Sequence, residues 1–266
     1  MQVQAQDLSA PEILVLLEPE VAADEVLKVA LKELIARGLL RVDNATPGGE
    51  SHFVLDLDNQ PQNPVLQSLW AHLRSASRQG LEINRVLQHL QREYGLGYGG
   101  FKAKTVLPSL VERGLLHKES GKFLGLFPYT NHRLTPDGAD LKSRLKQGLL
   151  EARRLVPSLA DGKAEAVALL GGLGAGLLLL PGIESQLQQL RTLMGGNSSD
   201  GYVPIFVVDE SDHHDLERAF QQVGVALDAG DGGATAGAVS NPISHYQITL
   251  HPGMPLAGGC APGRGR

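Results

Sequence analysis

The sequence predicts a mainly helical fold of the α-rich α+β class, namely a single helical domain with β-hairpins at its periphery. Apolar residues recur at spacings of three and four along several segments, which is the period of an amphipathic helix. Short alternating segments flank glycine-containing turns, which is typical of hairpins. The chain has 266 residues, of which 42% are hydrophobic but only 5% aromatic, and its one cysteine cannot form an internal disulfide. The core must therefore depend on aliphatic packing.

One plan of helix and strand occurs twice. The segments LKELIARGLLRV at 31–42 and LPSLVERGLLHK at 107–118 each combine an amphipathic helix, an Arg-Gly stop and a short strand. A glycine after a basic last turn is typical of a helix C-cap. A turn and a return strand follow each copy, and for the second copy we predict them at 119–122 and 123–127. The pattern predicts two winged-helix-like submodules whose helices pack together. The helix residues expected to be buried are Leu34, Ile35, Val106, Leu110 and Val111.

Further helices are predicted on both sides of these copies. They are a short helix near 9–19, a long helix from 23 to 37, and helices at 65–73, 83–94 and 141–156, the last one basic. Trp70 and Phe127 lie within apolar runs, and burial of large aromatic side chains is strongly stabilising. Both are therefore predicted to lie in the core.

A glycine-rich segment follows the helix at 83–94. Gly95, Gly97 and Gly100 fit the pattern G-x-G-x-x-G. The dinucleotide fingerprint requires an apolar strand before the glycines, and no such strand precedes them. The match therefore does not indicate a dinucleotide site.

The nearly uncharged segment at 164–183 approaches the length of a membrane span. The four glycines before Pro181, and Pro181 itself, disfavour an isolated spanning helix, so we predict a buried core helix with a glycine bend. The domain is expected to cover 8–195, followed by a variable strand-helix segment at 196–229. Residues 230–266 are rich in Gly, Ala and Pro and are predicted to be disordered.

The net charge of −5 conceals a segregation along the chain. Residues 1–70 carry a net −7, residues 71–160 a net +8 and residues 161–266 a net −6. A basic segment can concentrate nucleic acid or lipid headgroups, because a local field extends over a Debye length of ~8 Å at physiological salt. An ordinary solvated helical surface gives the same pattern, so both interpretations stay open.

Nothing in the sequence indicates catalysis. The acids and histidines at 209–215 could coordinate a metal, but adjacent histidines on one loop seldom point together, and acids are common at a helix N-terminus. Cys260 stands in the glycine-rich tail without a base or an orienting partner. No nucleophile elbow, phosphate-binding loop or zinc-protease motif is present. We therefore predict a non-enzymatic protein without metal or cofactor. The first residues lack a basic region, which predicts no signal peptide and a cytoplasmic location.

Two binding functions remain. In a winged-helix DNA-binding regulator, the alternative hypothesis, the helix at 101–113 would enter a major groove and HRLTPDGADL at 132–141 would close the wing. Lys102, Lys104 and Arg113 could contact phosphates, but this helix has no Asn, Gln or further Arg to read base edges.

The other function comes from a resemblance. The segment LVERGLLHKESGKFLGLFPYTNHRLTPDGADLKSRLKQGLLEARR at 110–154 resembles the Golgi phosphoprotein 3 family and its bacterial relatives. That family has a helix, a hairpin, an LGLFP-like strand, an LT turn and a basic helix in the same order. The segments 31–42, 58–69 and 164–178 are similar to further parts of the family, so the resemblance covers about 8–195.

The resemblance implies a peripheral membrane protein that holds a phosphatidylinositol 4-phosphate headgroup in a basic pocket and that can have protein clients. Such a pocket needs cationic donors, because the headgroup carries several negative charges. The family's pocket arginines correspond to about Leu27, Gly100 and Ala103. The basic residues that stand beside these positions, and that we predict to contact the lipid, are Lys28, Lys102 and Lys104. The family's pocket tryptophan has no counterpart in 18–25. The partner implied is an anionic phospholipid surface, with nucleic acid less favoured.

Overall fold

The structure, a computed structural model, describes residues 3–44, 51–77, 82–123, 127–155, 172–180, 183, 223–225 and 227. All of these fall within one compact unit that spans 1–236. They form a mainly helical assembly with two separate two-stranded antiparallel sheets, which confirms the predicted α-rich α+β class. The predicted tail at 230–266 lies outside the described residues, as does nearly all of the segment at 196–229.

The described helices and strands follow one another as predicted, with shifts at some ends. The helices are α1 (Ala10–Leu17), α2 (Ala23–Ala36), α3 (Pro64–Ser77), α4 (Ile83–Tyr94), α5 (Gly99–Phe101), α6 (Leu107–Glu112) and α7 (Pro136–Leu155). The strands are β1 (Leu40–Asn44), β2 (Ser51–Leu55), β3 (Leu116–Phe123) and β4 (Phe127–Leu134). A π-helical turn, Lys102–Val106, joins α5 to α6, so that residues 99–112 form one composite helix.

The π-helical turn has a local cause in the sequence. Pro108 has no backbone N–H, and its ring disfavours the regular carbonyl arrangement one turn earlier. The N–H of Leu107 bonds instead to the carbonyl of Lys102, five residues back. π turns of this kind are frequent at functional sites, and this one carries two of the three predicted lipid-binding lysines.

Helix α2 is the centre of the domain. Every residue from 26 to 36 is buried, including the charged Lys28, Lys32 and Glu33. Helix α1, α3, the first half of the composite helix and the segment at 174–179 all contact it. The predicted amphipathic helix is present, but neighbouring elements cover its polar side as well as its apolar one.

The two copies of the repeated plan end their helices in the same way. In the first copy the N–H of Gly38 bonds to the carbonyl of Ile35, and the N–H of Leu39 bonds to that of Leu34. In the second copy Gly114 and Leu115 bond in the same manner to Val111 and Leu110. These are Schellman motifs, which need a left-handed residue after the helix. Gly38 and Gly114 supply it, with φ of 69° and 72°.

The helices of the two copies pack together as predicted. Helix α2 contacts α5 and the π-helical turn, whereas α1 contacts the π-helical turn and α6. Of the five residues expected to be buried, Leu34, Ile35, Val106 and Leu110 are buried. Val111 is only partly buried, because it lies in the last turn of the composite helix beside the exposed Glu112.

The hairpins differ in length. In the first, Leu40 pairs with Leu55, and in the second Leu116 pairs with Leu134. The second hairpin runs on to the pair Phe123 and Phe127, so its strands are eight residues long. The predicted turn at 119–122 is therefore part of β3, and the predicted return strand at 123–127 is divided between the end of β3 at Phe123 and the start of β4 at Phe127. Ser and Gly indicated a turn there, but regular pairing with β4 determines the conformation.

A buried polar junction joins α1 to two other elements. The side chain of Glu12 is fully buried, and both of its oxygens accept hydrogen bonds. Oε2 accepts from the backbone N–H and the hydroxyl of Ser9 and from the side-chain amide of Asn63. Oε1 accepts from the hydroxyl of Ser109 and from the guanidinium of Arg113. The Arg113 Nε lies 2.9 Å from Oε1. Because buried polar groups are stabilising only when their partners are present, this carboxylate fixes α1, the start of α3 and α6 relative to one another.

A second buried carboxylate lies beside the first. Glu33 Oε2 accepts the backbone N–H of Ala10 at 2.7 Å, and Oε1 pairs with Arg37 at 2.6 Å. Burial raises the pKa of Glu33 above its usual range, and the nearby Glu12 raises it further, while Arg37 and the Ala10 N–H oppose both. The arginine of each Arg-Gly copy thus pairs with a buried glutamate. Arg37 pairs with Glu33 of its own helix, whereas Arg113 pairs with Glu12 of α1.

Trp70 is 5% exposed, which confirms its predicted place in the core. The side chain of Phe127 lies outside the described residues. Within the apolar segment at 164–183, the structure describes a largely buried 3₁₀ helix, Gly174–Leu179, which confirms the predicted buried helix for this part of the segment. A Cβ on Gly176 would stand 3.4 Å from Ile13 of α1, so this segment packs on protein. Within the described ranges, no helix has the length and apolar character needed to cross a bilayer.

Candidate functional site

The three predicted lipid-binding lysines lie in three different environments. Lys28 is 1% exposed, and its Nζ lies 2.7 Å from Glu25. A headgroup could reach this ammonium only by displacing the elements that cover α2. The structure therefore assigns Lys28 a place in the interior of the domain. A lysine in an amphipathic helix normally indicates a surface position, and the sequence does not show what covers the helix.

Lys102 joins the composite helix to the loop between α1 and α2. Its Nζ donates to the backbone carbonyls of Pro19 at 2.5 Å and Val21 at 2.7 Å. Partial burial lowers the pKa of Lys102, while the carboxylates of Glu20 and Glu18 oppose this shift. An ammonium group has three N–H donors, and the two described acceptors use two of them. Lys102 is thus a partly desolvated cation at the edge of the loop at 18–22.

Lys104 is exposed and has no hydrogen bond or ion pair within the part of the chain that the structure describes. It stands two residues after Lys102, and side chains at that spacing on a helix do not face each other. The structure therefore does not bring the two lysines into one pocket. Lys104 lies on the exposed stripe of the composite helix with Pro108 and Glu112.

One further lysine, Lys142 of α7, has its charge influenced by the same loop, and Lys146 stands one turn further along α7. Partial burial lowers the pKa of Lys142, the neighbouring Lys146 lowers it further, and Glu18 opposes both effects. Glu18 therefore opposes the pKa shift of both Lys102 and Lys142, and α1, which ends just before this loop, contacts both the π-helical turn and α7. We call Lys102, Lys142 and Lys146 the lysine cluster. Their i, i+4 spacing on the predicted basic helix was the sequence signal that could have identified the α7 pair.

The acidic loop is the distinctive feature of this site. Glu18 and Glu20 are both exposed, and they face cations that burial has already made less stable in the charged form. Glu18 and Glu20 therefore neutralise part of the positive charge of the lysine cluster. An external anion would bind to the lysines in place of these carboxylates or beside them. A phosphate group, with several acceptor oxygens, matches such a set of ammonium donors.

The second Arg-Gly copy does not present a base-reading helix. On the composite helix, Phe101, Val106 and Leu110 are fully buried, while the exposed positions include Ala103, Lys104, Pro108 and Glu112. Arg113, which the DNA-binding hypothesis assigned to a phosphate, pairs instead with Glu12. In the first copy the corresponding helix is buried from 26 to 36. Neither helix carries an Asn, Gln or Arg side chain that could read base edges in a major groove.

Other candidate sites give no support for a metal centre. Among the described residues, no group of three or more His, Cys, Asp or Glu side chains could hold a metal ion. The acid and histidine cluster at 209–215 and Cys260 lie outside the described residues.

The comparisons with known proteins agree with this architecture. A family model described as Golgi phosphoprotein 3 matches residues 29–194, which is more than half of the chain and lies inside the range over which the resemblance was predicted. No curated protein matches the sequence. The order of helices and hairpins, the two Schellman motifs and this match lead to one conclusion: the chain belongs to the Golgi phosphoprotein 3 family.

Proposed function

We propose that this protein is a non-catalytic peripheral membrane protein that attaches reversibly to anionic lipid through the lysine cluster and Lys104. The observation that carries the proposal is the environment of Lys102. Its ammonium is partly desolvated and is held in place by two carbonyls, and Glu18 of the same loop also acts on the charge of Lys142. A cation fixed in this way loses little conformational entropy when it meets a phosphate.

The family membership supports the choice of lipid. The Golgi phosphoprotein 3 fold is linked in general to phosphatidylinositol 4-phosphate. That headgroup adds a phosphomonoester to the phosphodiester of an ordinary phospholipid, so it offers more charge to a lysine cluster than phosphatidylserine does. We therefore propose that surfaces containing phosphatidylinositol 4-phosphate bind most tightly, and that the protein acts at the cytoplasmic face of membranes, where it can recruit protein clients.

The expected affinity is modest. Each basic residue near an anionic surface contributes about 1 kcal/mol. Four such residues give a salt-sensitive and reversible attachment, and the opposing charges of Glu18 and Glu20 weaken it further. Attachment is thus expected to respond strongly to lipid composition.

Vesicle sedimentation tests this proposal. Purified full-length protein is mixed with neutral vesicles, with vesicles containing phosphatidylserine and with vesicles containing phosphatidylinositol 4-phosphate, each with and without duplex DNA. We expect binding only to the anionic vesicles, strongest for the phosphoinositide, and little competition from DNA. Tight duplex binding with indifference to lipid would instead support the winged-helix DNA-binding alternative.

Three double variants locate the site. Lys142→Ala/Lys146→Ala and Lys102→Ala/Lys104→Ala should each weaken binding by about 2 kcal/mol, or roughly thirtyfold. Glu18→Gln/Glu20→Gln should strengthen it, because it removes the local counter-charges. The matched control is Lys118→Ala/Arg133→Ala, which removes two exposed cations from the second hairpin. Equal weakening by all three cation-removing pairs would show that net charge alone acts and would refute the proposed site.

A further inference from the structure

The glycine loop between α4 and α5 displays one apolar side chain to solvent. Leu96 is 88% exposed, the highest value among the large exposed hydrophobic residues of the described chain. It stands between Gly95 and Gly97 in a short 3₁₀ turn. A single exposed leucine is common on protein surfaces, so its meaning depends on how the loop is built and on what surrounds it.

The loop has a well-defined conformation on both sides of Leu96. Gly95 and Gly97 have φ of 83° and 62°, which favour glycine. Tyr98 has φ of 57°, a conformation that no other non-glycine residue adopts in the described ranges, and its side chain is only 5% exposed. A Cβ on Gly100 would stand 2.6 Å from the carbonyl oxygen of Tyr94, so the chain is also closely packed behind the loop. Strained backbone of this kind persists only where the surroundings hold it, and here it directs Leu96 outward.

The charges near Leu96 favour an anionic partner. The composite helix starts at Gly99. Lys104 stands five residues later, which corresponds to about 8 Å of helical rise. Lys104 is exposed and Lys102 is partly exposed, while the exposed Arg92 and Glu93 on the other side of the loop have opposite charges. The other exposed leucine of the described residues, Leu57, is 63% exposed and lies between the carboxylates of Asp56 and Asp58. An anionic surface would repel the surroundings of Leu57 and attract those of Leu96.

We propose that Leu96 is a shallow insertion tip that enters the boundary between headgroups and acyl chains of an anionic bilayer while the lysines contact the phosphates. This inference rests on the proposed function and deepens it, because it adds an apolar component to an electrostatic attachment. Amphipathic elements bury their apolar side chains about 5–10 Å into this boundary region. A leucine on a rigid loop reaches it without reorganisation of the domain.

Site-specific labelling tests the insertion. The single native cysteine is replaced (Cys260→Ser), and a polarity-sensitive nitrobenzoxadiazole fluorophore is attached to the cysteine of Leu96→Cys or, as a matched control, of Leu57→Cys. With vesicles containing phosphatidylinositol 4-phosphate, the label at position 96 should shift to the blue and should be quenched by lipids that carry a nitroxide high on the acyl chain. The label at position 57 should remain unchanged.

Unlabelled variants provide a second measurement. Leu96→Asp should weaken vesicle sedimentation about tenfold, since full burial of a leucine is equivalent to a factor of ten or more in a binding constant. Leu57→Asp should have no such effect. Both positions are exposed, and circular dichroism verifies that the variants remain folded.

The outcomes separate this inference from the proposed function. If the native protein does not bind anionic vesicles, the proposed function fails and the inference fails with it. If the native protein binds and the lysine variants weaken it, but the label at position 96 behaves like the label at position 57, the lysine site stands and the insertion of Leu96 is refuted.

Discussion

The two Arg-Gly copies share their local structure but differ in their surroundings. Both helices end in the same Schellman motif. In both copies the hairpin is also closed by a backbone hydrogen bond to the residue after the glycine. The N–H of Asp56 donates to the carbonyl of Leu39, and the N–H of Thr135 donates to the carbonyl of Leu115. Yet α2 is buried along most of its length, whereas the composite helix keeps an exposed stripe with Lys104. The ends of these helices are therefore determined by their local sequence, whereas their burial is determined by the elements that pack against them.

The arginines make the difference concrete. Arg37 forms an ion pair with Glu33, four residues earlier in the chain. Ion pairs at this spacing stabilise isolated helices as well. The second copy has Ser109 at the equivalent position, and both Ser109 and Arg113 bind Glu12 of α1. The first pair is local, while the second one joins elements that are far apart in the chain. Variants of Glu12, Arg37 and Arg113 test how much each arrangement stabilises the fold.

The largest effect is expected at Glu12. Glu12→Ala removes the five hydrogen bonds of this carboxylate and leaves Arg113 without its buried partner. The free energy of unfolding should therefore fall by about 3–5 kcal/mol. Urea denaturation followed by circular dichroism measures this loss. The control is Glu112→Ala, which removes an exposed acid beside Arg113. This control should change stability by at most about 0.5 kcal/mol. A loss at Glu12 no larger than that of the control would contradict the role assigned to the junction.

The second prediction compares the arginines directly. Arg37→Ala removes the ion pair of the buried Glu33 carboxylate, which among the described residues then keeps the hydrogen bond from the Ala10 N–H. We expect a loss of about 3 kcal/mol at neutral pH. In Arg113→Ala, by contrast, Glu12 keeps four described hydrogen bonds. Its loss should therefore be only about 1.5 kcal/mol. Urea titrations of both variants under the same conditions give the ranking, and the reverse order would show that the long-range pair is the stronger one.

The pH dependence of Arg37→Ala follows from the raised pKa of Glu33. A carboxyl group whose pKa is higher in the folded state favours folding at low pH. This contribution is lost as the pH rises from the ordinary pKa of 4.5 through the folded value. Arg37 opposes the shift, so its removal raises the pKa of Glu33 further. Above pH 4.5, the stability of Arg37→Ala should therefore fall more steeply than that of the native protein, and Arg37→Ala/Glu33→Gln should lose this extra slope.

The third prediction concerns how α7 meets the second copy. A Cβ on Gly138 would stand 2.0 Å from the carbonyl oxygen of Leu115, a backbone atom that cannot move aside. Gly138→Ala should therefore cost about 2 kcal/mol or more. Gly148→Ala on the same helix is the matched control, because its Cβ would meet the end of the flexible Leu173 side chain at 2.9 Å. Thermal unfolding of both variants should show the larger decrease for Gly138, and equal decreases would contradict the distinction between rigid and flexible neighbours.

Sequence reasoning succeeded where the cause is local. Helix α4 has the predicted bounds, and both Arg-Gly stops are where the glycines predicted them, because a left-handed C-cap depends on one residue. The extension of β3 through 119–122 could not be predicted, since pairing with β4 overrides the turn tendency of Ser120 and Gly121. The burial of Lys28 could not be predicted either, because the elements that cover it are distant in the sequence.

The candidate site shows the same division. The resemblance indicated Lys102 and Lys104, which stand beside the family's pocket positions. The structure adds Lys142, together with Lys146 one turn along α7, because α7 packs against α1 and Glu18 acts on Lys142. That approach is a property of packing between α1 and α7, which no spacing within either segment reveals. The sequence thus indicates the charge of the site more readily than it indicates which residues form the site.

The smallest effect tests whether the two Schellman motifs are equivalent. Gly114 has a left-handed backbone, and a Cβ there would point into open space. The cost of Gly114→Ala is therefore purely conformational and should be about 1 kcal/mol. Gly99, in the same composite helix, also faces open space but has ordinary right-handed helical angles. As the control, Gly99→Ala should change stability by at most about 0.5 kcal/mol.

Gly38→Ala completes this comparison between the two copies. It should cost as much as Gly114→Ala if the local backbone alone matters, because both glycines are left-handed. Urea titrations of the three glycine variants measure the difference. A larger cost at Gly38 would show that the crowding around the buried α2 extends to its C-cap, whereas no cost at Gly114 would mean that the left-handed backbone is not what ends the helix.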